Sequence, residues 1–337
     1  MERSKNPNFI TAHINRTTAD KKKTQLLLRY RSHADQKDHY SVRFDDETFD
    51  ECMTLDSSYN MLSHLYYSLV GSCKGLICLR NNAGVVVWNP AIRKTLRLPK
   101  PPSSLSDRRF PCTVLVGFGF NSCTNDFKVI RMFQFLDLDT EIFMVPPVAE
   151  VYEISTGLSR AISAVPPYNM SSGKKSCSYY DESVFVKGAS HWLLIENPNS
   201  ILSFDMASEV FREVMFPASV ANETAMSISI FRESLSLFTY DRDLWEYCIW
   251  VMKEYGVVES WTKLFTIGRQ IGRVLGLRKT GEILVAKVAL LSFDFGRELV
   301  SFDPVNKQQV NLGIRWSQCS PRLDTYMESL VLLDRKY

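Results

Sequence analysis

Two motifs in the sequence have residue types and spacings that could support chemistry. Gly117-Phe118-Gly119 has the spacing of the first two glycines of a dinucleotide-binding loop. The third glycine position is Ser122, however, and β-rich sequence follows where that loop needs a helix. His191 stands inside a strand-like run, with no acid or nucleophile at catalytic spacing. We therefore expect no phosphate site at the glycines and interpret His191 as a structural histidine.

A third group of residues is aromatic. Trp245, Trp250 and Trp261 could form a stacking platform for sugars or single-stranded nucleic acid. Strand alternation places Trp245 and Trp250 on opposite faces, and apolar side chains fill both of these faces. Two apolar faces are typical of a strand packed between other sheets. We therefore expect these tryptophans to lie in the core.

Metal, nucleic-acid and membrane binding find little support in the composition. The eight cysteines form no C-x-x-C pair and the five histidines show no ligand spacing, which favours buried free thiols over zinc sites or disulfides. The net charge of +3 is too small to indicate nucleic acid or an anionic membrane as the partner. No apolar run has the length of a membrane span, and we expect a soluble protein of the cytoplasm or nucleus, without a cofactor.

A short pattern recurs along the chain and indicates how it is organised. A strand ends in an aromatic residue, an acid or amide follows, and a turn begins, as in Val87-Trp88-Asn89-Pro90. The aromatic residues recur about every 50 residues, which is the period of kelch-type propeller blades. We predict that they occupy equivalent positions of successive hairpins: Trp88, Tyr152, Phe204, Trp250 and Phe302.

Short β-rich runs and turn residues fill the sequence between these aromatic residues, and a convincing helical period is absent beyond about residue 20. The fold class predicted is all-β, a single kelch-like β-propeller of about six blades. We assign it residues 21–337 and expect a short helical remnant in residues 1–20. Residues 26–30 and 39–44, with residues 328–333, are expected to form a last blade from both ends of the chain.

From about residue 70 onward the chain resembles the F-box-associated domain of the plant F-box protein family. The resemblance is carried by Gly71–Cys78, Val87–Pro90, Gly117–Phe120, Asn125–Val129, Gly188–Trp192 and, most strongly, Trp250–Lys263.

The resemblance implies a kelch-like propeller that recognises a target protein for a cullin-RING ubiquitin ligase. A full member of this family begins with an F-box, a helical bundle that docks on the ligase adaptor. Residues 8–16 resemble the end of that region, whereas the preceding apolar helices have no counterpart in the sequence. We therefore expect the chain to bind a target protein, and to bind the adaptor only if an F-box is restored.

The best candidate for a partner-binding surface is an apolar insertion between Arg131 and Glu150. Its candidate residues are Phe133, Phe135, Leu136, Leu138, Ile142 and Phe143. The alternative is that this run forms a longer, paired blade strand. We predict no catalytic, cofactor or metal residues. The alternative function is a propeller enzyme acting on a small molecule or glycan, which requires acids, histidines or a metal cluster at the mouth of the channel.

Overall fold

A computed structural model of the protein describes residues 25–333, apart from residues 33, 36, 56–66, 82–83, 101–108, 138–142, 164–182, 194–199, 221–222, 289–295, 317–320 and 332. Within the described residues, 24 strands form six four-stranded antiparallel sheets, the blades of a six-bladed β-propeller. The predicted fold class is confirmed. The predicted helical remnant at residues 1–20 lies outside the described residues.

Three of the sheets lie between Tyr67 and Met215, in the first of two compact units. Sheet 1 comprises β4 (Ser68–Cys73), β5 (Leu76–Asn81), β6 (Gly84–Asn89) and β7 (Lys94–Arg97). Sheet 2 comprises β8 (Arg109–Asn121), β9 (Asp126–Asp137), β10 (Phe143–Glu153) and β11 (Ser159–Ile162). Sheet 3 comprises β12 (Ser183–Val186), β13 (Ala189–Leu193), β14 (Ser200–Asp205) and β15 (Phe211–Met215).

The second unit contains the other three sheets. Sheet 4 comprises β16 (Thr224–Phe231), β17 (Ser234–Asp241), β18 (Glu246–Met252) and β19 (Trp261–Gly268). Sheet 5 comprises β20 (Arg273–Leu277), β21 (Ile283–Val288), β22 (Arg297–Phe302) and β23 (Gln309–Trp316). Sheet 6 comprises β24 (Arg322–Tyr326), β1 (Gln25–Arg31), β2 (Asp38–Phe44) and β3 (Glu51–Leu55), in that spatial order.

The core of each unit lies between neighbouring sheets. In the first unit, Val87 of sheet 1 and Phe118 of sheet 2 share one apolar cluster. A second cluster joins Ile130 of sheet 2 to Trp192 of sheet 3. In the second unit, comparable clusters join sheets 4 and 5 and sheets 5 and 6. Burial of both strand faces explains the apolar character of both faces in the sequence.

The recurring aromatic residues all lie in the third strand of their sheets. Four of them are the last or second-to-last residue of that strand: Trp88, Tyr152, Phe204 and Phe302. Trp250 departs from the prediction, because it lies two residues before Met252, where β18 ends. A sixth member, Phe44, ends the third strand of sheet 6 and was missed in the sequence.

The turns after these strands share one backbone feature. A residue with positive φ follows the aromatic residue by five positions in five of the sheets: Phe49, Arg93, Gly157, Glu209 and Lys307. Only one of these five is glycine. The αL conformation is uncommon for other residues, so a repeated αL position indicates that the turn and its hydrogen bonds impose it.

The prediction of a terminal strand at residues 328–333 was wrong in its position. Sheet 6 does combine both ends of the chain, but its strand from the C-terminal end is β24, which pairs with β1 over Gln25–Arg29. The apolar run predicted as a strand is used differently, because Leu333 packs into the core of the first unit. Asn89 Nδ2 donates to the carbonyl oxygens of Ser329 at 3.0 Å and Val331 at 2.8 Å. Those carbonyl groups therefore bond to a side chain instead of a neighbouring strand.

Gly117 is required for close packing between sheets 2 and 3. A Cβ atom at this position would lie 2.4 Å from a ring carbon of Trp192 and 2.8 Å from Ile130. The Trp192 indole nitrogen donates to the carbonyl of Val116 at 2.9 Å, which holds the ring against the glycine. The glycine thus allows close packing between the two sheets.

Candidate protein-binding surface

The predicted apolar insertion forms the β9–β10 hairpin. Phe143 pairs with Leu136, Met144 with Phe135, and Val148 with Phe133, with a register shift between Met144 and Val148. The backbone at these positions therefore belongs to long paired strands, as the alternative interpretation of the insertion proposed.

A buried ion pair fixes the base of this hairpin. The guanidinium of Arg131 donates to the carboxylate of Glu150, and the two side chains are 3% and 4% exposed. Arg131 Nη1 also donates to the carbonyl of Pro99 at 2.8 Å. Removing one partner of such a pair is costly because it leaves a buried charge uncompensated. We infer that this ion pair fixes the register of β9 and β10 at the base of the hairpin.

The predicted candidate residues of the hairpin have different positions. Phe133 is 1% exposed and lies in the core, with the Arg131 guanidinium 5.7 Å from its ring centroid. It therefore offers no surface to a partner. Phe135, Leu136 and Phe143 lie in the paired strands, and their side chains are outside the described structure. Leu138 and Ile142 lie outside the described residues, so partner binding at these five remains a prediction.

A charged cluster links strands β9 and β11 of sheet 2 to the β14–β15 turn of sheet 3. Lys128 Nζ lies 2.7 Å from Glu209 Oε1 and donates to the Met206 carbonyl at 3.1 Å, while Arg160 bonds to the same carboxylate. Burial alone would raise the pKa of Glu209, but hydrogen bonds from Arg160 and Lys128 lower it overall. The cluster therefore keeps Glu209 ionised and fixes this edge of the two sheets.

An unexpected pair of exposed apolar residues lies in the turn between β17 and β18. Leu244 is 67% exposed and Trp245 is 57% exposed. Trp245 has a φ of 59° and precedes the first residue of β18, so strand alternation does not govern its side chain. The prediction that Trp245 lies in the core was therefore wrong. Trp250 and Trp261, at 5% and 7% exposure, are buried as expected.

His191, the histidine considered for catalysis in the sequence, lies in the core. His191 is fully buried, with Nδ1 3.2 Å from the Val184 carbonyl oxygen. Burial lowers the pKa of His191 to about 4, so the ring is neutral at neutral pH. No group of three or more His, Cys, Asp or Glu among the described residues could hold a metal ion.

The cysteines that the structure describes are free thiols. Cys73, Cys78 and Cys248 are free and buried, in line with the expectation, whereas Cys123 is free and exposed in a turn. No helix in the described part of the chain has the length and hydropathy needed to cross a bilayer.

A family model for the F-box associated beta propeller domain matches residues 32–333 of the chain. The chain belongs to this family. The match covers every strand of the six sheets except β1 (Gln25–Arg31). The family recognised in the sequence is therefore confirmed.

Several F-box proteins of Arabidopsis thaliana are similar to this F-box-associated chain. The F-box protein CPR1 is 30% identical over 351 residues, which cover 97% of this chain and 80% of the relative. An F-box/kelch-repeat protein is 28% identical over 212 residues, covering 61% of this chain and 54% of the relative. Another F-box protein is 26% identical over 279 residues, covering 77% of this chain and 65% of the relative. The matches thus span little more than half to four fifths of these relatives.

Solved structures also resemble the chain, at much lower sequence identity. The periplasmic gluconolactonase PpgL of Pseudomonas aeruginosa is 10% identical, with a TM-score of 0.44, over 92% of this chain and 99% of that protein. A similarity at this level supports no inference about activity.

The sequence contains a signal for the exposed turn that alternation obscured. Asp241 is followed by two polar residues and then Leu244, and an Asp at the start of a short segment favours an Asx turn. Asp241 Oδ1 accepts hydrogen bonds from the backbone nitrogens of Asp243 at 2.9 Å and Leu244 at 3.0 Å. Giving this turn signal priority over alternation would have placed Trp245 outside the strand.

Proposed function

We propose that this F-box-associated chain recognises a target protein for a cullin-RING ubiquitin ligase, and that it acts by binding without catalysing a reaction. The observation that carries the proposal is the family match over residues 32–333, together with relatives that are F-box proteins. The proposal concerns target recognition, which the propeller domain performs in the family that the sequence resembles.

The structure supports the proposal through the contrast between a rigid framework and exposed turns. Both faces of most strands are buried, whereas the large apolar side chains of Leu244 and Trp245 are exposed in a turn. Turns positioned by a rigid scaffold commonly carry binding residues. The neutral, buried ring of His191 gives no support to the alternative of a propeller enzyme.

We further propose that target binding is separable from attachment to the ligase adaptor. Among the described residues, the apolar clusters lie between neighbouring sheets of one unit, as in a repeat fold whose units pack mainly on their neighbours. Within residues 1–16, apolar anchors for an adaptor are limited to Phe9, Ile10 and Ile14. An interface of useful affinity usually buries about 800 Å² on each partner around a few anchors. We therefore expect residues 1–337 to bind a target but to bind purified adaptor weakly.

Affinity capture tests target recognition. The tagged chain is expressed in Arabidopsis cells with and without a proteasome inhibitor, and captured proteins are identified by mass spectrometry. We expect a specific protein that is enriched over a Trp88→Ala control, because Trp88 is 2% exposed and its removal disrupts the fold. That protein should also bind the chain when both are purified. The proposal is contradicted if nothing exceeds the control or if no captured protein binds directly.

A separate binding measurement tests the separation from the adaptor. Purified residues 1–337 are titrated with purified adaptor subunit, beside a full-length F-box relative. We expect binding by the relative and none by residues 1–337 at micromolar concentration. Comparable affinity of the two proteins would place an adaptor site within these residues and overturn this part of the proposal.

A further inference from the structure

The β17–β18 turn presents two consecutive apolar side chains from a fixed backbone. The Asx hydrogen bonds from Asp241 hold the turn, and Arg269 N donates to the carbonyl of Trp245 at 3.0 Å. Leu244 and Trp245 nevertheless remain more than half exposed. A rigid, exposed tryptophan beside an exposed leucine is the kind of anchor that dominates the energy of many protein interfaces. The fixed backbone lowers the entropy that binding would otherwise lose.

Arg269 adds a specific charge to this anchor. Its guanidinium carbon lies 4.7 Å from the centroid of the Trp245 ring. A guanidinium stacked on an aromatic ring keeps its N–H edge available for two parallel hydrogen bonds to a carboxylate. Within the described part of the chain, Arg269 forms no ion pair and is exposed. The stacked pair is therefore arranged to accept a carboxylate next to an apolar contact.

Two more arginines reach the same edge of the second unit. Arg273 begins β20 and Arg297 begins β22, and the charges of both act on Tyr247, the second residue of β18. Burial raises the pKa of the Tyr247 phenol, while the nearby guanidinium groups of Arg273, Arg269 and Arg297 favour its ionised form. Three arginines from separate elements thus place positive charge beside the turn.

Carboxylates also occur on this edge, and they lie on the hairpin itself. Asp241 is occupied by the turn amides, whereas Asp243 and Glu246 flank the apolar pair. The arginines come from other elements, because Arg269 follows β19 and the other two begin strands of sheet 5. Glu246 pairs with Gly268, beside Arg269, so charges of both signs lie at this edge, and the Arg269 guanidinium is the positive group stacked on the Trp245 ring.

We propose that the surface formed by Leu244, Trp245 and Arg269 binds a peptide segment in which an Asp or Glu stands beside an apolar side chain. This inference rests on the proposed function and specifies the chemistry of the recognised segment. The apolar side chain packs against Leu244 and the free part of the indole. The carboxylate accepts hydrogen bonds from the Arg269 guanidinium, and the neighbouring arginines favour further acidic residues on that side.

Selection from a random peptide library tests this inference on the full chain. Phage-displayed 12-residue peptides are panned against immobilised residues 1–337, and the enriched sequences are synthesised and titrated by fluorescence anisotropy. We expect acidic peptides that contain an apolar residue. Trp245→Ala and Arg269→Glu should each weaken their binding by about tenfold or more. The matched control is Leu158→Ser, because Leu158 is equally exposed, at 68%, but lies in a turn of sheet 2; it should leave the affinity unchanged.

A charge exchange separates direct contact from a loss of folding. Lysine replaces the acidic residues of the best peptide, and this peptide is titrated against Arg269→Glu. We expect the variant to bind the lysine peptide better than wild type does, which a merely damaged surface would not achieve. Trp245→Ala and Arg269→Glu should both unfold at the wild-type urea midpoint, because Trp245 and Arg269 are exposed.

Several results would overturn the inference. The first is that the library yields basic peptides, or no enriched peptide at all. The others are that peptide binding survives Trp245→Ala, or that the chain self-associates through the β17–β18 turn and binds no peptide. These results leave target recognition itself intact if a protein captured from cells still binds the purified chain. Conversely, failure of that capture would count against the proposed function, whatever the peptides show.

Discussion

Replacing Asn89 should destabilise the chain much more than replacing a comparable turn residue. Asn89 is fully buried, and its Oδ1 accepts a turn hydrogen bond from Ala91 N at 3.1 Å. From its position in the sequence we would expect Asn89→Ala to remove this turn bond alone, at a cost of about 1 kcal/mol. The structure adds the two hydrogen bonds from Nδ2 to the carbonyl groups of Ser329 and Val331.

The magnitude follows from the number and burial of these bonds. Each contributes about 1 kcal/mol, except that the bond to the buried Ser329 carbonyl costs about 1 to 3 kcal/mol to lose, because that carbonyl is left without a donor. We therefore expect Asn89→Ala to lower the free energy of unfolding by about 3 to 5 kcal/mol. Asn121 is the matched control, since it is buried and its Oδ1 accepts only the turn bonds from Cys123 N at 2.9 Å and Thr124 N at 3.4 Å.

Urea unfolding followed by tryptophan fluorescence measures both variants. Asn121→Ala should cost about 1 to 2 kcal/mol. Asn89→Asp provides a sharper distinction, because aspartate supports an Asx turn as well as asparagine does but cannot donate to the two carbonyls. We expect Asn89→Asp to be at least as damaging as Asn89→Ala. Equal costs at Asn89 and Asn121, or a tolerated Asn89→Asp, would refute the role assigned to the C-terminal segment.

Three further predictions address the core, the sheet packing and the charged cluster. Trp88→Ala should lower the free energy of unfolding in urea by about 3 to 5 kcal/mol, because the indole is 2% exposed. Trp245→Ala should leave the urea midpoint nearly unchanged. Equal midpoints for wild type and Trp88→Ala would contradict the assignment of Trp88 to the core. Gly117→Ala should cost about 1 to 3 kcal/mol or more from overpacking, while Gly276→Ala, whose Cβ would first meet an atom at 3.4 Å, should cost less in the same assay. The lowered pKa of Glu209 stabilises the folded chain above the ordinary glutamate value of 4.5, and this stabilisation is lost as the pH falls through the lowered value. Glu209→Gln should therefore destabilise the chain most at neutral pH, and a difference from wild type that grows on acidification would be inconsistent with this cluster.

The repeat could be predicted because large aromatic side chains mark it in the sequence. Trp88, Tyr152, Phe204 and Phe302 recur because each third strand places an aromatic residue before its turn, where a large ring fills the space between sheets. Phe44 was missed because it precedes the first strong family motif. Its turn nevertheless contains the same αL position, at Phe49.

The two errors have different causes, a long-range contact in one case and a local turn in the other. Residues 328–333 are apolar enough for a strand, but the buried amide of Asn89, far away in the sequence, binds their carbonyls. Trp245 fits a strand by alternation, yet the hydrogen bonds of Asp241 end the preceding strand and turn the ring outward. The partner of residues 329 and 331 cannot be identified from local sequence, whereas the Asp241 turn is local and could have been recognised from the residues that follow it.

Direct binding between the purified chain and a protein captured with it tests the central claim. Calorimetric titration of residues 1–337 with that protein should show saturable binding with a Kd in the micromolar range or below, as for a specific protein interface. The same titration with Trp88→Ala should show weaker binding, because the core that positions the turns is destabilised. Absence of saturable binding by the wild-type chain, or equal binding by the Trp88→Ala variant, would contradict the account of this propeller as a target-recognition domain.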